Sequence, residues 1–190
     1  MKTVFTFFLG IAFYLTSSTT FAQGITLELV ENSASIPNYT TPIPVTSAQY
    51  SFTSSFSTSS NGPTAPSRPD LPPLTITKQF DPSTAALQKA MLLGQSFQYV
   101  RLSFFRADGT LAYRIVLGDV YLTNYSASGA ASCPSGCPGL SESVSLLYRQ
   151  YVSYNPAAPA SSTGLSTVTW DRVTNTANVD AALIAAATAQ

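Results

Sequence analysis

TITKQFDPSTAALQKAMLLG, residues 75–94, changes period partway along. Thr75-Ile76-Thr77-Lys78 alternates apolar and polar, the signature of a strand with one face in a core. After Asp81-Pro82 the spacing becomes helical, and Leu87, Ala90, Met91 and Gly94 fall on one face. Asp81 is suited to cap the helix start, Pro82 to occupy its first position and Gly94 to stop it. A short helix with a single apolar stripe must bury that stripe against a sheet. Its simplest use is to cover an open end or face of a barrel.

Outward from this stretch the chain reads as β. Ile25, Leu27 and Leu29 alternate with Thr26 and Glu28. Pro37, Pro42 and Pro44 make residues 32–44 a loop or sheet edge. Residues 43–56 form a second β region around Val45, Tyr50, Phe52 and Phe56, and residues 74–80 a third strand. Between these two, STSSNGPTAPSRPDLPP (57–73) is a long Pro-, Ser- and Gly-rich segment, either a flexible connector or a partner-binding arm. Asp108-Gly109 predicts a hairpin turn joining strands at 98–106 and 111–121. Glu142 opens another strand, in which Val144 and Leu146 alternate with serines, and β structure continues to Tyr154. TVTWDRVTN (167–175) is a last strand or an extension, and the Ala-rich end could form a terminal helix. The predicted architecture is therefore mainly β: a small antiparallel barrel with one flanking α-helix.

The first 22 residues have the form of a secretory signal. Lys2 precedes an apolar run from Val4 to Leu15, and Thr20 and Ala22 suit cleavage after Ala22. The run is short for a bilayer span of roughly 20 residues. The predicted organisation is a signal peptide at 1–22, one barrel domain at 23–178 and an Ala-rich tail at 179–190. Basic and acidic residues number nine each. Such a balance does not attract nucleic acid, and no membrane partner is expected once the leader is removed. Only 9% of residues are charged, which weakens electrostatic defence against self-association. In an exported chain, Cys133 and Cys137 in CPSGCPG read as a structural disulfide.

The sequence gives little support for catalysis. It contains no histidine to activate a serine. Neither Ser96 nor Ser141 sits in a nucleophile elbow. Lys78 reads as an ordinary strand residue, and Asp70, Asp81 and Asp108 as loop, cap and turn residues. No catalytic, cofactor-binding or metal-binding residues are assigned, and no cofactor is expected.

The opening stretch, with VRLSFFR (100–106), YRIVLGDVYLTNYS (113–126) and ESVSLLYRQYVSYNP (142–156), resembles the Hcp family, the tube proteins of type VI secretion systems. The family's Thr-Lys and Asp before a Ser-rich helix start resemble Thr77, Lys78 and Asp81, and its helix-ending glycine resembles Gly94. Leu117-Gly118-Asp119-Val120, Glu142-Ser143-Val144-Ser145-Leu146 and Trp170-Asp171-Arg172-Val173-Thr174-Asn175 resemble further family segments. The likeness covers roughly residues 25–177. It implies a β-barrel with a helix beside it, self-association into homohexameric rings that stack into a tube, effector cargo and no catalytic site. Residues 57–73 would be the arm that reaches an adjacent ring. Family tubes assemble in the cytoplasm without a cleaved leader, whereas this chain begins with one. The expectation is therefore an exported, Hcp-like assembly protein, periplasmic or extracellular. A monomeric secreted barrel that binds a ligand or surface partner is the alternative.

Overall fold

The computed structural model describes residues 24–31, 41–55, 58–59, 62–63, 67–129, 139–158 and 166–189. In chain order they form β1 (Gly24–Glu31), β2 (Ile43–Val45), β3 (Ser47–Gln49), β4 (Thr58–Ser59), β5 (Gly62–Pro63), β6 (Leu74–Gln79), α1 (Thr84–Leu92), β7 (Ser96–Phe105), β8 (Leu111–Ser128), β9 (Ser141–Leu147), β10 (Gln150–Tyr154), β11 (Thr167–Asp171) and α2 (Ala181–Thr188). The leader at 1–22 and both Cys133 and Cys137 lie outside the described residues.

Every strand pair is antiparallel, and the main ladder runs β2-β1-β7-β8-β9-β6-β3. The ladder does not close on itself by strand pairing. Its two ends, β2 and β3, are consecutive pieces of one chain. They meet at Thr46, whose N–H donates to the Thr77 carbonyl at 2.8 Å. The fold is mainly β and Hcp-like, as the sequence predicts, but strand pairing does not close the predicted barrel, and the wall passes through a one-residue joint instead.

Strand alternation builds the interior. Leu27, Ile43, Val45, Leu74, Ile76, Val144 and Leu146 point inward from four strands into one core. β8 holds the wall together. Its first part pairs with β7 on one side and β10 on the other, and its last part pairs with β9. The change of partner falls at Asp119, a non-glycine residue at φ 52°. Here the Arg149 N–H donates to the Gly118 carbonyl at 3.0 Å, between β9 and β10. Thereafter β9 continues round the barrel to β6, while β10 leaves it to pair with β11. The turn at 106–110 is built as the Asp-Gly signal predicts: Gly109 has φ 80°, and Asp108 accepts from the Thr110 N–H at 2.9 Å.

Helix α1 buries Leu87 and Ala90 completely, as their spacing demands. Asp81 accepts from the Ser83 N–H at 2.7 Å, and Ser83 already has helical angles. Asp81 thus caps a first turn that begins with Pro82. At the other end Gly94, at φ 61°, donates to the Met91 carbonyl and Gln95 donates to that of Ala90. This is the Schellman arrangement a helix-ending glycine permits.

The Ala-rich end adds a second helix. Asp180 accepts from the Ala182 N–H at 2.9 Å and starts α2. Leu183 and Ala187 then pack on Val116 and Val152, on the outer face of β8 and β10. That explains the unbroken burial from Arg114 to Gly118: one face meets the core and the other meets α2. The carbonyls at the C-terminus of α2 are held by arginines. Arg114 donates to those of Ala187, at 3.0 Å, and Ala189, a favourable charge for that end of a helix dipole. Residues 57–73 are tied at their base, where Thr53 and Asp70 exchange two backbone hydrogen bonds and the Ser67 N–H donates to the Ser55 carbonyl.

Candidate functional site

The family-like residues of the opening stretch converge on one buried network where α1 meets the barrel. Alternation places Lys78 on the same face as Leu74 and Ile76, and Glu142 on the same face as Val144 and Leu146. The two stand opposite each other in the β6–β9 register, both with wholly buried side chains. The Lys78 ammonium donates to Glu142 Oε1 at 2.5 Å, Asp81 Oδ1 at 2.8 Å and the Gln79 carbonyl at 2.9 Å. An ammonium has three N–H donors, so its capacity is filled. Glu142 also accepts from the Thr84 hydroxyl at 2.9 Å and the Tyr125 hydroxyl at 2.5 Å. Tyr125 in turn accepts from Gln88 at 2.8 Å.

This network fastens the helix start and middle to β6, β8 and β9 through side chains alone. Partial burial pushes the Asp81 carboxyl up, but hydrogen bonds from Lys78 and Ser83 outweigh it and hold the group below its usual range. Burial first, and then the bond to Glu142, push the Tyr125 phenol up. Lys78 is therefore not an ordinary strand residue. Its parity with Leu74 and Ile76 was the available signal. The arrangement fixes a helix to a wall and offers no open nucleophile, so its chemistry is structural.

A second network braces the switch in β8. Asp171, at the end of β11, accepts from Arg149 Nε and Gln150 Nε2 at 3.1 Å each, and from the N–H groups of Val173 and Thr174 at 2.8 and 2.9 Å. Burial alone would push its carboxyl up. The bonds from Thr174, Gln150 and Val173, with the Arg149 charge, lower it to about 2. The Trp170-Asp171 segment singled out in the sequence thus ties β11 back to the β9–β10 junction.

Large apolar side chains stay exposed in distinct places. Phe80 and Leu140 lie together near the start of α1, where the Phe80 N–H donates to the Leu140 carbonyl. Elsewhere Tyr50 and Phe52 meet at a tilt of 56° with ring centroids 5.9 Å apart, and Phe52 meets Tyr151 edge-on. Phe52, Val168 and Trp170 line a groove of about 220 Å³. Among the described residues, no group of three or more Cys, Asp or Glu side chains is placed to hold a metal ion.

A wound antiparallel β wall, a helix bolted to it by a buried ion pair, and apolar side chains left outside make up the scaffold. Residues 25–154 match the family described as "Type VI secretion system effector, Hcp". The chain belongs to the Hcp family, whose members are structural tube proteins and not enzymes, and which assembles by self-association.

Solved structures agree in fold. Hcp1 from Salmonella typhimurium superposes with a TM-score of 0.61 at 15% identity, covering 81% of this chain and 97% of that one. A structure described as a type six secretion system protein gives 0.64 at 17% identity, covering 82% and 99%. The secreted protein Hcp3 from Pseudomonas aeruginosa gives 0.53 at 15%, covering 79% and 98%. No curated protein matches the sequence. β11 and α2 lie beyond the segment matched to the family. No helix among the described residues is long and apolar enough to cross a membrane.

Proposed function

We propose that the mature protein is an exported ring-forming subunit, a homohexamer whose rings stack into a tube or carry an effector. The observation that carries this reading is the family match over residues 25–154, which holds nearly the whole ladder and α1. Two different apolar patches, at Phe80/Leu140 and at Phe52/Val168, support it. A ring built head to tail needs two unlike surfaces on each subunit, and an isologous dimer needs one. β11, which pairs with β10 alone among the described strands, adds a sheet edge. Export rests on the leader-like residues 1–22, and a Cys133–Cys137 disulfide follows from export.

Native mass spectrometry and electron microscopy of the mature chain test the reading, with its N-terminus sequenced and its cysteines assayed without reductant. The expected result is a six-subunit ring that begins at Gln23 and contains no free thiol. A monomer that persists at high concentration would overturn the ring and leave the monomeric binding barrel.

A further inference from the structure

Three of the chain's nine basic residues, Arg68, Arg149 and Arg172, line one open cleft of about 710 Å³. In a chain with so few charges, their convergence calls for a cause. Two of them are held in place. The buried Asp171 carboxylate orients Arg149 through Nε, Asp119 lies 3.6 Å from its Nη1, and the side chain stays 44% exposed. Arg172 donates to the Tyr148 carbonyl at 2.8 Å and lies over the Tyr148 ring, 5.5 Å from its centroid. The Arg68 guanidinium has no partner among the described residues. Tyr148 also lines the cleft and is almost wholly buried, and its hydroxyl has no hydrogen-bond partner among the described residues. Burial pushes that phenol up to about 12, so it remains a donor. The cleft's one acid is Asp119, at the β8 switch, 3.6 Å from Arg149 and half exposed.

We propose that this cleft binds a small phosphate monoester. Guanidinium groups fixed from behind present planar N–H forks to a group with several terminal oxygens. Asp171 already balances Arg149, which leaves Arg68 and Arg172 as two cations against the half-exposed Asp119, and two guanidinium forks suit the several oxygens of a dianion better than a single carboxylate. Tyr121 and Leu147 supply an apolar wall for a compact body attached to the phosphoryl group.

The test is calorimetric titration of the mature protein with inorganic phosphate and with phenyl phosphate, using sodium chloride at matched ionic strength as control. Both phosphates bind, and phenyl phosphate binds more tightly. Arg68→Ala breaks no side-chain hydrogen bond or ion pair among the described residues and weakens both about tenfold, the effect of losing one charge-assisted bond. Asp119→Asn removes the competing carboxylate and tightens both several-fold. Binding that is absent, matched by chloride, or indifferent to Arg68→Ala while circular dichroism shows a folded variant would overturn the assignment.

Discussion

Lys78→Met strips the ammonium from the α1 anchor and leaves Glu142 charged in a site with no solvent exposure. The carboxylate keeps only two neutral donors, Thr84 and Tyr125, and Asp81 loses its cation as well. Breaking one side of a buried pair costs about 3–5 kcal/mol, because the remaining charge has no counter-ion. Lys78→Met/Glu142→Leu removes the stranded charge too. Thr84 still accepts from the Asp81 N–H and Tyr125 from Gln88, although both O–H groups lose the carboxylate to which they donate. The double variant is expected to recover most of the loss and lie within about 2 kcal/mol of the parent, since well-packed apolar replacements of buried pairs are often near neutral. Urea unfolding followed by Trp170 fluorescence and circular dichroism measures both, with an unchanged m-value as the check that one transition is being compared. The reasoning fails if Lys78→Met costs less than about 1 kcal/mol, or if the double variant is less stable than the single one.

Other outcomes follow from the same geometry. Leu183→Ala removes the apolar anchor of α2 over Val116 and Val152; amide exchange should accelerate across residues 181–188 while β6 and β9 stay protected, and unchanged exchange would show that α2 is held by its arginines alone. Gly94→Ala meets no neighbouring atom but must adopt φ 61°, so it should cost about 1 kcal/mol in unfolding free energy; a neutral result would deny the left-handed helix stop. Asp171, lowered from 3.8 to about 2 in the fold, favours folding while ionised. Its contribution is present above about pH 4 and is lost as pH falls toward the folded value. Asp171→Asn should therefore lower Tm near neutrality, and its melting curve should converge on the parent's as pH falls from about 4 to 2. Parallel curves across that window would refute the sign.

Much of this fold is legible from periodicity. The parity of Leu27, Ile76, Val144 and Leu146 sets the inward face, and the Asp81, Leu87, Gly94 pattern specifies α1 with its cap and stop. Lys78 shows the limit of residue-type reasoning. Its alternation says inside while its charge says outside, and the fold resolves the conflict by placing Glu142 across the register. The docking of α2 was less accessible. Its apolar residues make only a weak stripe, and the face that receives them exists only after β8 and β10 have paired. Likewise Arg68, Arg149 and Arg172 are far apart in sequence: Arg149 sits in the turn from β9 into β10, Arg172 follows β11 and Arg68 precedes β6, so only the folded chain brings them to one cleft.

The joint at Thr46 sets how this wall tolerates change. Side chains on the two short strands it links must keep their parity, since Ile43 and Val45 face the core. One residue added there would turn one of those strands inside out, whereas two would preserve the facing and widen the seam. Length changes at this joint are thus tolerated in units of two.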